Sequence, residues 1–303
     1  MRVLVTGASG FLGSRVTDAL LARGDEVIAL SRDPERARGA NPTVRWHAWN
    51  ATAERPPASA LEGVDAVVNL IGEPIDQRWT EEAKQRIRAS RERATKNLVD
   101  GLSAADPRPR ALISQSAVGY YGDRGDAIVD ESTPAGTTFD AGVCAAWEAS
   151  ARAAEELGLR VAVIRTGLVL DPSAGLLKQL LPPFRLGVGG PIAGGRQYMP
   201  WIHVDDWVRL VLWVFDGEDR AGTYNGTAPH PVTNAELSKT LGHVLGRPAV
   251  MPVPKLAMKL RFGSELGEVV TGGQRAVPRR ALDAGFEFAH PELEPALRNL
   301  LDR

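Results

Sequence analysis

Short runs of apolar residues alternate along the first half of the chain with longer segments whose apolar residues repeat at helical spacing. The apolar runs have the length of buried strands and lie at residues 3–5, 27–30, 66–71, 111–113 and 161–164. Between the first two runs, apolar side chains recur at helical spacing from Phe11 to Leu21, and Gly24 follows where a helix would end. Strand, helix and strand in this order predict a βαβ unit, and its repetition predicts a parallel sheet covered by helices.

A glycine-rich turn directly follows the first predicted strand and opens the first predicted helix. It has the spacing G-x-x-G-x-x-G. Gly7 permits the tight turn, Gly10 lets the backbone approach a pyrophosphate, and Gly13 allows the helix to pack closely on the strand. The N-terminus of the helix favours an anion through its N–H groups and its dipole. We therefore predict that the turn binds a dinucleotide cofactor through Thr6, Gly7, Ser9, Gly10, Phe11, Leu12 and Gly13.

The end of the second predicted strand indicates which dinucleotide binds. A site for NAD carries an acidic residue there, which hydrogen-bonds the ribose 2′-hydroxyl, but this chain has Ser31 and Arg32. A guanidinium pairs with a 2′-phosphate and Ser31 can donate a hydrogen bond, so we expect NADP(H). Alternatively, Arg32 is a solvated surface charge, and Asp33 keeps NAD(H) as the less favoured cofactor.

The alternation of strands and helices loosens after about residue 165. Residues 181–196 form Gly/Pro-rich loops that we expect to line or cover a site. A helical pattern resumes over residues 234–245, and short helices with Pro breaks follow from residue 248. The sequence predicts an α/β fold with a Rossmann-type, doubly wound parallel sheet and a smaller C-terminal substrate lobe. The predicted sheet domain comprises residues 1–165 with a return segment at about 200–230, and the lobe comprises residues 166–199 and 231–303.

Composition restricts the classes of partner. Lys and Arg (36) balance Asp and Glu (37), so the overall charge favours neither nucleic acid nor a membrane, and we expect a small-molecule substrate. The single cysteine, Cys144, excludes an intrachain disulfide and a multi-cysteine zinc site, so we expect no metal and a reducing compartment. With neither a signal-peptide pattern nor an apolar run of membrane-spanning length, the expected location is the cytoplasm.

An ordered set of motifs resembles those of one protein family. The motifs lie at residues 6–13, 65–72, 114–122 and 201–206. Together they resemble the extended short-chain dehydrogenases/reductases of the nucleotide-sugar epimerase/dehydratase class. Further motifs resemble an epimerase-like subfamily that includes the bacterial protein YfcH and a human counterpart, and they lie at residues 72–75, 78–80, 90–91, 117–122, 181–187 and 272–275.

The resemblance implies roles for several residues. Asn69, Leu70, Ile71 and Gly72 would pass beside the cofactor, although a buried amide that satisfies loop backbone is the alternative for Asn69. Residues 203–206 would cap and pack at the junction with the lobe. The resemblance also implies a homodimer, paired through helices at about residues 80–102 and 143–157.

Residues 144–148 depart from the catalytic pattern of this family. Its enzymes use a Ser together with a Tyr and a Lys that lie one turn apart on a helix. The Tyr exchanges a proton with the substrate, and the Lys lowers the pKa of the Tyr. Ser116 fits the serine position, but Cys144 and Glu148 stand where the Tyr and the Lys are expected. A neighbouring carboxylate makes a thiolate harder to form, so the ordinary mechanism does not transfer.

Three interpretations of this departure stay open. In the first, Tyr120 or Tyr121 supplies the phenol. In the second, Glu148 has a pKa raised by burial and acts as acid and base, while Ser116 and Cys144 polarise the substrate. In the third, Cys144 is a core residue and Glu148 is solvated or salt-bridged. Candidate substrate contacts are Glu73, Trp79, Arg185 and Tyr198; mixed-charge helix surfaces explain many charged residues in this region equally well.

These features together predict an NADP(H)-dependent epimerase or oxidoreductase. It would transfer hydride to or from a small carbonyl or hydroxyl substrate, a class that includes nucleotide-sugar-like molecules. The alternative is a catalytically silent NADP(H) sensor or binding module, because Cys144 and Glu148 replace the usual Tyr and Lys.

Overall fold

The computed structural model describes residues 1–302, in which a central parallel sheet carries helices on both faces and joins a smaller C-terminal lobe. The strands are β1 (Arg2–Thr6), β2 (Glu26–Ser31), β3 (Arg45–Ala48), β4 (Ala66–Asn69), β5 (Ala111–Ala117), β6 (Ile128–Val129), β7 (Arg160–Thr166), β8 (Leu168–Leu170), β9 (Tyr198–Met199), β10 (Trp201–His203), β11 (Gly222–Gly226), β12 (Val232–Thr233) and β13 (Arg275–Ala276). The α-helices are α1 (Phe11–Ala22), α2 (Pro34–Ala40), α3 (Glu81–Ala89), α4 (Glu92–Leu102), α5 (Phe139–Arg152), α6 (Gly175–Arg185), α7 (Val204–Asp216), α8 (Asn234–Leu245), α9 (Lys255–Phe262), α10 (Ser264–Thr271), α11 (Arg279–Asp283) and α12 (Leu293–Leu301).

The central sheet has seven strands in the order β11-β7-β5-β4-β1-β2-β3, and every neighbouring pair is parallel. The direction of the strand order reverses between β1 and β4. In open α/β sheets, ligands bind in the crevice outside the carboxyl ends of the strands at this point. The predicted doubly wound α/β fold is therefore confirmed, and the glycine-rich turn after β1 lies at the switch point.

Strands β1, β2, β4, β5 and β7 are largely buried on both faces, which explains why they contain continuous apolar runs in the sequence. Along β1, Val3 and Val5 belong to one buried cluster together with Leu20 of α1, whereas Leu4 belongs to the cluster on the other face with Leu98 of α4. Strands β3 and β11 complete the edges of the sheet, although the apolar pattern predicted neither of them. The pairing of β11 with β7 returns the chain to the sheet after the first part of the lobe.

Short strand pairs and further helices lie outside the central sheet. Strand β10 pairs with β8, β12 with β9, and β13 with β6. Helix α8 covers the predicted range 234–245 and begins with a capping box formed by Thr233 and Glu236. Within residues 1–302, no helix combines the length and the apolar character that a membrane crossing requires.

Candidate cofactor and catalytic site

The glycine-rich turn has the geometry that the sequence predicts. Gly7 has a φ of +68°, and a Cβ added there would lie 2.6 Å from the carbonyl oxygen of Leu70. A Cβ on Gly13 would lie 2.0 Å from the carbonyl oxygen of Gly7. Gly10 caps α1 without a side-chain hydrogen bond and is exposed. The turn therefore packs tightly against the loop after β4, while its outer side leaves backbone N–H groups of the first helical turn available to an anion.

The end of β2 presents a cation whose charge is not paired. Arg32 is exposed and forms neither a hydrogen bond nor an ion pair within the part of the chain that the structure describes. The neighbouring acid, Asp33, caps α2: its Oδ1 accepts the backbone N–H of Arg36 at 3.0 Å. The Oγ of Ser31 accepts the N–H of Asp33 at 3.1 Å. Because the carboxylate of Asp33 is used by the helix, Arg32 is the charged group left to recognise a ligand here.

A row of neutral polar side chains crosses the sheet beside the turn. Thr6, Asn69 and Ser114 are aligned in register on β1, β4 and β5. The hydroxyl of Thr6 donates to Oδ1 of Asn69 at 2.7 Å, and Nδ2 of Asn69 donates to Ser114 at 3.1 Å and to Thr95 at 3.0 Å. The side-chain amide of Asn69 is thus buried and makes its hydrogen bonds within the protein, as in the alternative interpretation. After Asn69, the chain leaves the carboxyl edge of the sheet through Leu70, Ile71 and Gly72.

Arg91, at the junction of α3 and α4, places a guanidinium against this loop. A Cβ on Gly72 would lie 3.1 Å from Cζ of Arg91, and the guanidinium stands 5.2 Å from the ring centre of Trp147. Only its Nη1 donates, to Ile87 at 3.3 Å and to Ser90 at 3.4 Å. No carboxylate pairs with Arg91 among residues 1–302, and burial lowers its pKa. Arg91 was not predicted as a cofactor contact, because its contact with Gly72 joins residues 19 positions apart.

A second row across the sheet is charged. Ser116, Arg165 and Asn225 are aligned on β5, β7 and β11. Arg165 binds the carboxylate of Glu148 through two hydrogen bonds, Nε to Oε1 at 2.8 Å and Nη2 to Oε2 at 2.9 Å, and Ser116 donates to the same Oε1 at 2.8 Å. Tyr121 accepts from Arg165 at 3.0 Å and donates to Asn225 at 2.7 Å. This row places the predicted Ser116, Glu148 and Tyr121 together, but in a closed network.

The charged row holds Glu148 as one half of a buried ion pair. The side chains of Arg165 and Glu148 are 4% and 6% exposed. Although burial alone lowers the pKa of Arg165, its hydrogen bonds to Glu148 and Tyr121 raise that pKa overall. Both carboxylate oxygens of Glu148 already accept hydrogen bonds, so neither is offered to a substrate. The salt-bridged interpretation of Glu148 describes this geometry.

Cys144 and Tyr121 are also poorly suited to exchange protons near neutral pH. Burial, with a contribution from Asp140, raises the pKa of Cys144 to about 12. Burial raises the pKa of Tyr121 to about 12 despite the nearby Arg165. Tyr120 differs from both, because it is half-buried and its hydroxyl has no hydrogen-bond partner within residues 1–302. Its ring lies on the guanidinium of Arg165, whose Cζ is 3.4 Å from the ring centre.

Asp140 is a titratable group that the sequence pattern did not single out. It lies in the first turn of α5, one turn before Cys144, and its Oδ1 is buried without a hydrogen-bond partner in the described chain. A Cβ on Gly119 would lie 2.8 Å from its Oδ2. Burial raises the pKa of Asp140. The spacing of Asp140 to Cys144 was the available signal, since both side chains share one face of the helix.

The four predicted substrate contacts do not form one cluster. Trp79 packs edge-on against Phe139 at 5.1 Å, close to Asp140. Glu73 is half-buried on the loop that begins at Gly72. Tyr198 lies under the guanidinium of Arg275, at 4.9 Å. Arg185 is exposed at the last turn of α6, which suits a surface contact better than a substrate pocket.

Three potential metal ligands lie together at the junction with the lobe. The ligand atoms of His203, Asp205 and His290 lie within 4.8 Å of one another. The two rings are stacked at 3.8 Å with an angle of 25°, so their nitrogen lone pairs run side by side instead of converging on one ion. Nδ1 of His203 accepts the N–H of Asp205 and caps α7, and the carboxylate of Asp206 accepts the N–H groups of Ala289 and His290. The contacts are those of the capping and packing role predicted for residues 203–206.

Comparison with known proteins identifies the family. The model of the NAD dependent epimerase/dehydratase family matches residues 3–225. The chain belongs to this family. A second family model, described as a domain of unknown function (DUF1731), matches residues 253–300 of the lobe. The predicted resemblance to the epimerase/dehydratase class is confirmed.

Relatives match nearly the whole chain. The chloroplastic SDR39U1 homolog of Arabidopsis thaliana is 40% identical over 303 residues, which cover 99% of this chain and 87% of that protein. The human epimerase family protein SDR39U1 is 37% identical over 305 residues, which cover 99% of this chain and 100% of that protein. A crystal structure of human SDR39U1 (isoform 2) with NADPH superposes with a TM-score of 0.89 at 35% identity and covers 100% of both chains. The fold of the lobe is thus shared as well as that of the sheet.

Proposed function

We propose that this chain binds NADP(H) and transfers hydride between the nicotinamide and a small carbonyl or hydroxyl substrate. The observation that carries the proposal is the pairing of two features at the switch point of the sheet. The tightly packed glycine turn leaves helix N–H groups for a diphosphate, and the unpaired Arg32 at the end of β2 would bind the 2′-phosphate of NADP(H). The crystal structure of the human relative with NADPH supports the same cofactor.

The residues of the site fit such a cofactor. The turn from Gly7 to Gly13 would hold the diphosphate, Arg32 with Ser31 would hold the 2′-phosphate, and Arg91 would donate from Nε and Nη2 to an oxygen of the ribose or diphosphate beside Gly72. When bound, NADP(H) supplies or accepts hydride at C4 of its nicotinamide.

Among the predicted catalytic residues, Tyr120 has a hydroxyl group without a hydrogen-bond partner in the described chain. Its half-buried hydroxyl can exchange a proton with a substrate oxygen, and its ring lies on the guanidinium of Arg165, which holds the ring in place. Asp140 is the second candidate, since its Oδ1 has no partner in the described chain. Glu148 instead holds Arg165 in place under Tyr120.

A catalytically silent NADP(H)-binding module is the second candidate function. The ion pair between Glu148 and Arg165 favours it, because this pair stands where the family pattern requires a Lys beside the nicotinamide ribose. Such a module keeps the cofactor half of the site and lacks proton transfer.

One experiment separates the two candidate functions. Wild-type protein with bound NADPH is mixed with a panel of aldehydes, ketones and keto sugars, including nucleoside-diphosphate keto sugars, and the absorbance of NADPH is followed. Under the proposal, at least one compound is reduced, and Tyr120→Phe lowers turnover by about 100-fold or more. Tyr224→Phe, which changes a buried tyrosine whose ring packs against Trp213 of α7, does not lower turnover. NADPH binding without turnover of any compound favours the silent module.

A further inference from the structure

Although the overall charge of the chain is nearly balanced, its acidic and basic residues are distributed unevenly in the lobe. Residues 172–204 and 237–264 contain no Asp or Glu. The same two segments contain eight Lys and Arg residues: Lys178, Arg185, Arg196, Lys239, Arg247, Lys255, Lys259 and Arg261. Both segments are therefore purely basic, although the chain as a whole has a formal net charge of −1.

The two basic segments lie side by side in the folded lobe. The N–H of Met251 donates to the carbonyl of Gly189 at 3.1 Å, and the N–H of Val253 donates to that of Pro191 at 2.9 Å. Ile192 and Val253 form a parallel bridge. Helix α9 begins two residues later, so it extends the same strip of surface.

This strip also exposes large apolar side chains. Of the ten large hydrophobic residues that are exposed within residues 1–302, six lie on it. We name them, with the basic residues around them, the apolar-basic face: Leu186 (78% exposed), Val188 (54%), Val250 (75%), Met251 (54%), Leu256 (66%) and Leu260 (71%). Clustered exposure of this kind is unusual on a protein surface and marks an interaction site.

Helix α9 is the clearest part of the apolar-basic face. None of its residues is buried. Leu256 and Leu260 are one turn apart and so point to the same side. Lys255 and Lys259 both contact Glu268 of α10, which offsets part of their charge.

Other cations of the face keep their charge. Arg185, Arg247 and Arg261 have no carboxylate partner among the residues that the structure describes. Their guanidinium groups therefore remain available to anions outside the protein.

We propose that the apolar-basic face docks the protein on the surface of an anionic lipid bilayer. Its leucine, valine and methionine side chains would enter the boundary between headgroups and acyl chains, and Arg185, Arg247 and Arg261 would lie at the lipid phosphates. The apolar side chains project outward at 54–78% exposure. That shape suits a deformable lipid interface, whereas a helical peptide ligand needs a groove. This peripheral contact goes beyond the proposed function and differs from the expectation of no membrane partner.

The test is co-sedimentation of the full-length protein with vesicles. Vesicles of phosphatidylcholine alone are compared with vesicles that also contain phosphatidylglycerol. Binding is expected only to the anionic vesicles and falls about tenfold or more between low and high salt. Leu256→Asn with Leu260→Asn removes binding, and Arg247→Gln with Arg261→Gln weakens it about tenfold.

Two control variants match these changes elsewhere on the surface. Ile128→Asn removes an apolar side chain that is 58% exposed on β6, and Arg93→Gln with Lys96→Gln removes two cations of α4. Both controls keep wild-type vesicle binding. All variants are checked for NADPH binding and for folding, so that a loss of vesicle binding is separate from a failure of the proposed function.

Three outcomes would overturn the proposal. They are no binding to anionic vesicles at low salt, unchanged binding by the Leu256→Asn/Leu260→Asn variant, and a concentration-dependent increase in sedimentation coefficient without lipid that this variant abolishes. The last outcome would make the face an interface between copies of the chain instead of a lipid contact.

Discussion

Two rows of polar side chains cross the same sheet, and they use their polarity in different ways. The neutral row, Thr6, Asn69 and Ser114, satisfies its hydrogen bonds without net charge. It holds the loop at Leu70 against the glycine turn, whose outer side stays open. The charged row, Ser116, Arg165 and Asn225, closes around Glu148 and Tyr121. The first row therefore supports a binding site, whereas the second row occupies positions where the family pattern has proton transfer.

The difference teaches that similarity of fold and cofactor site does not extend to the acid–base residues. A carboxylate at position 148 requires a buried cation, and Arg165 supplies it from the neighbouring strand. Once the two are paired, removal of either one alone leaves an uncompensated charge. Glu148 and Arg165 thus form a structural ion pair, and under the proposed function proton transfer would depend on Tyr120 or Asp140.

The largest expected effect comes from breaking the charged row. Arg165→Met leaves Glu148 buried without its cation and lowers the free energy of unfolding by about 3–5 kcal/mol. The double variant Glu148→Gln/Arg165→Met recovers part of this loss, because no charge is left unpaired. Both are measured by denaturant unfolding. In the exposed pair of Arg298 with Glu294, Arg298→Gln leaves the free energy of unfolding nearly unchanged, because water screens the pair. Equal small losses for Arg165→Met and Arg298→Gln would contradict a buried structural ion pair.

The second largest expected effect concerns the glycine turn, whose outer side is open to the cofactor. Gly13→Ala places a Cβ against the carbonyl oxygen of Gly7, so the turn must move and NADPH affinity falls by about 100-fold or more. Gly142→Ala on α5 meets no atom within 4 Å and keeps wild-type affinity. Fluorescence titration measures both. Wild-type affinity in Gly13→Ala would show that the turn does not hold the cofactor.

A smaller effect is expected for the guanidinium beside Gly72. Arg91→Ala lowers the affinities for NADPH and NADH by about tenfold each, because the contact is to a part that both cofactors share. Arg88→Ala, which removes an exposed cation over Phe139, changes neither. Calorimetric titration measures the affinity of each of the two variants for NADPH and for NADH. A loss confined to NADPH would instead place Arg91 at the 2′-phosphate.

The last effect is absent at neutral pH and is a dependence of stability on alkaline pH. The pKa of Cys144 is about 12 in the folded chain and near 8.5 in an unfolded chain. The folded state then keeps a proton that the unfolded state loses, so stability is constant below the unfolded value and falls by about 1.4 kcal/mol per pH unit above it. Tyr121 adds to the loss above about pH 10. Cys144→Val removes the contribution of the thiol, which is measured by denaturant unfolding at several pH values between about 8.5 and 12. If the slope of stability against pH were the same in this variant and in the wild type, a buried neutral thiol would be contradicted.

The sequence predicted those parts of the molecule that depend on local pattern. The glycine turn, the first βαβ unit and the helix over residues 234–245 follow from residues that are close in the chain. Strand β3, with the sequence RWHA, and strand β11, with GTYNG, were not predicted, because their polar and glycine residues join the sheet only through tertiary pairing.

The same limit applies to the candidate site. Ser116, Glu148 and Arg32 were predicted from motif positions, but the partner of Glu148 was not. Arg165 ends an apolar strand 17 residues later, and only the register of β5 with β7 brings it to Ser116 and Glu148. A charged residue that ends a run of buried strand residues was the available signal, since a buried arginine requires a partner.

Titration of the wild-type protein and of Arg32→Ala with NADPH and with NADH tests the central claim most directly. If the open turn and the unpaired Arg32 form an NADP(H) site, the wild type binds NADPH about tenfold or more tightly than NADH, and Arg32→Ala removes this difference without weakening NADH. Failure of the wild type to bind either cofactor, or an unchanged preference in Arg32→Ala, would contradict the account.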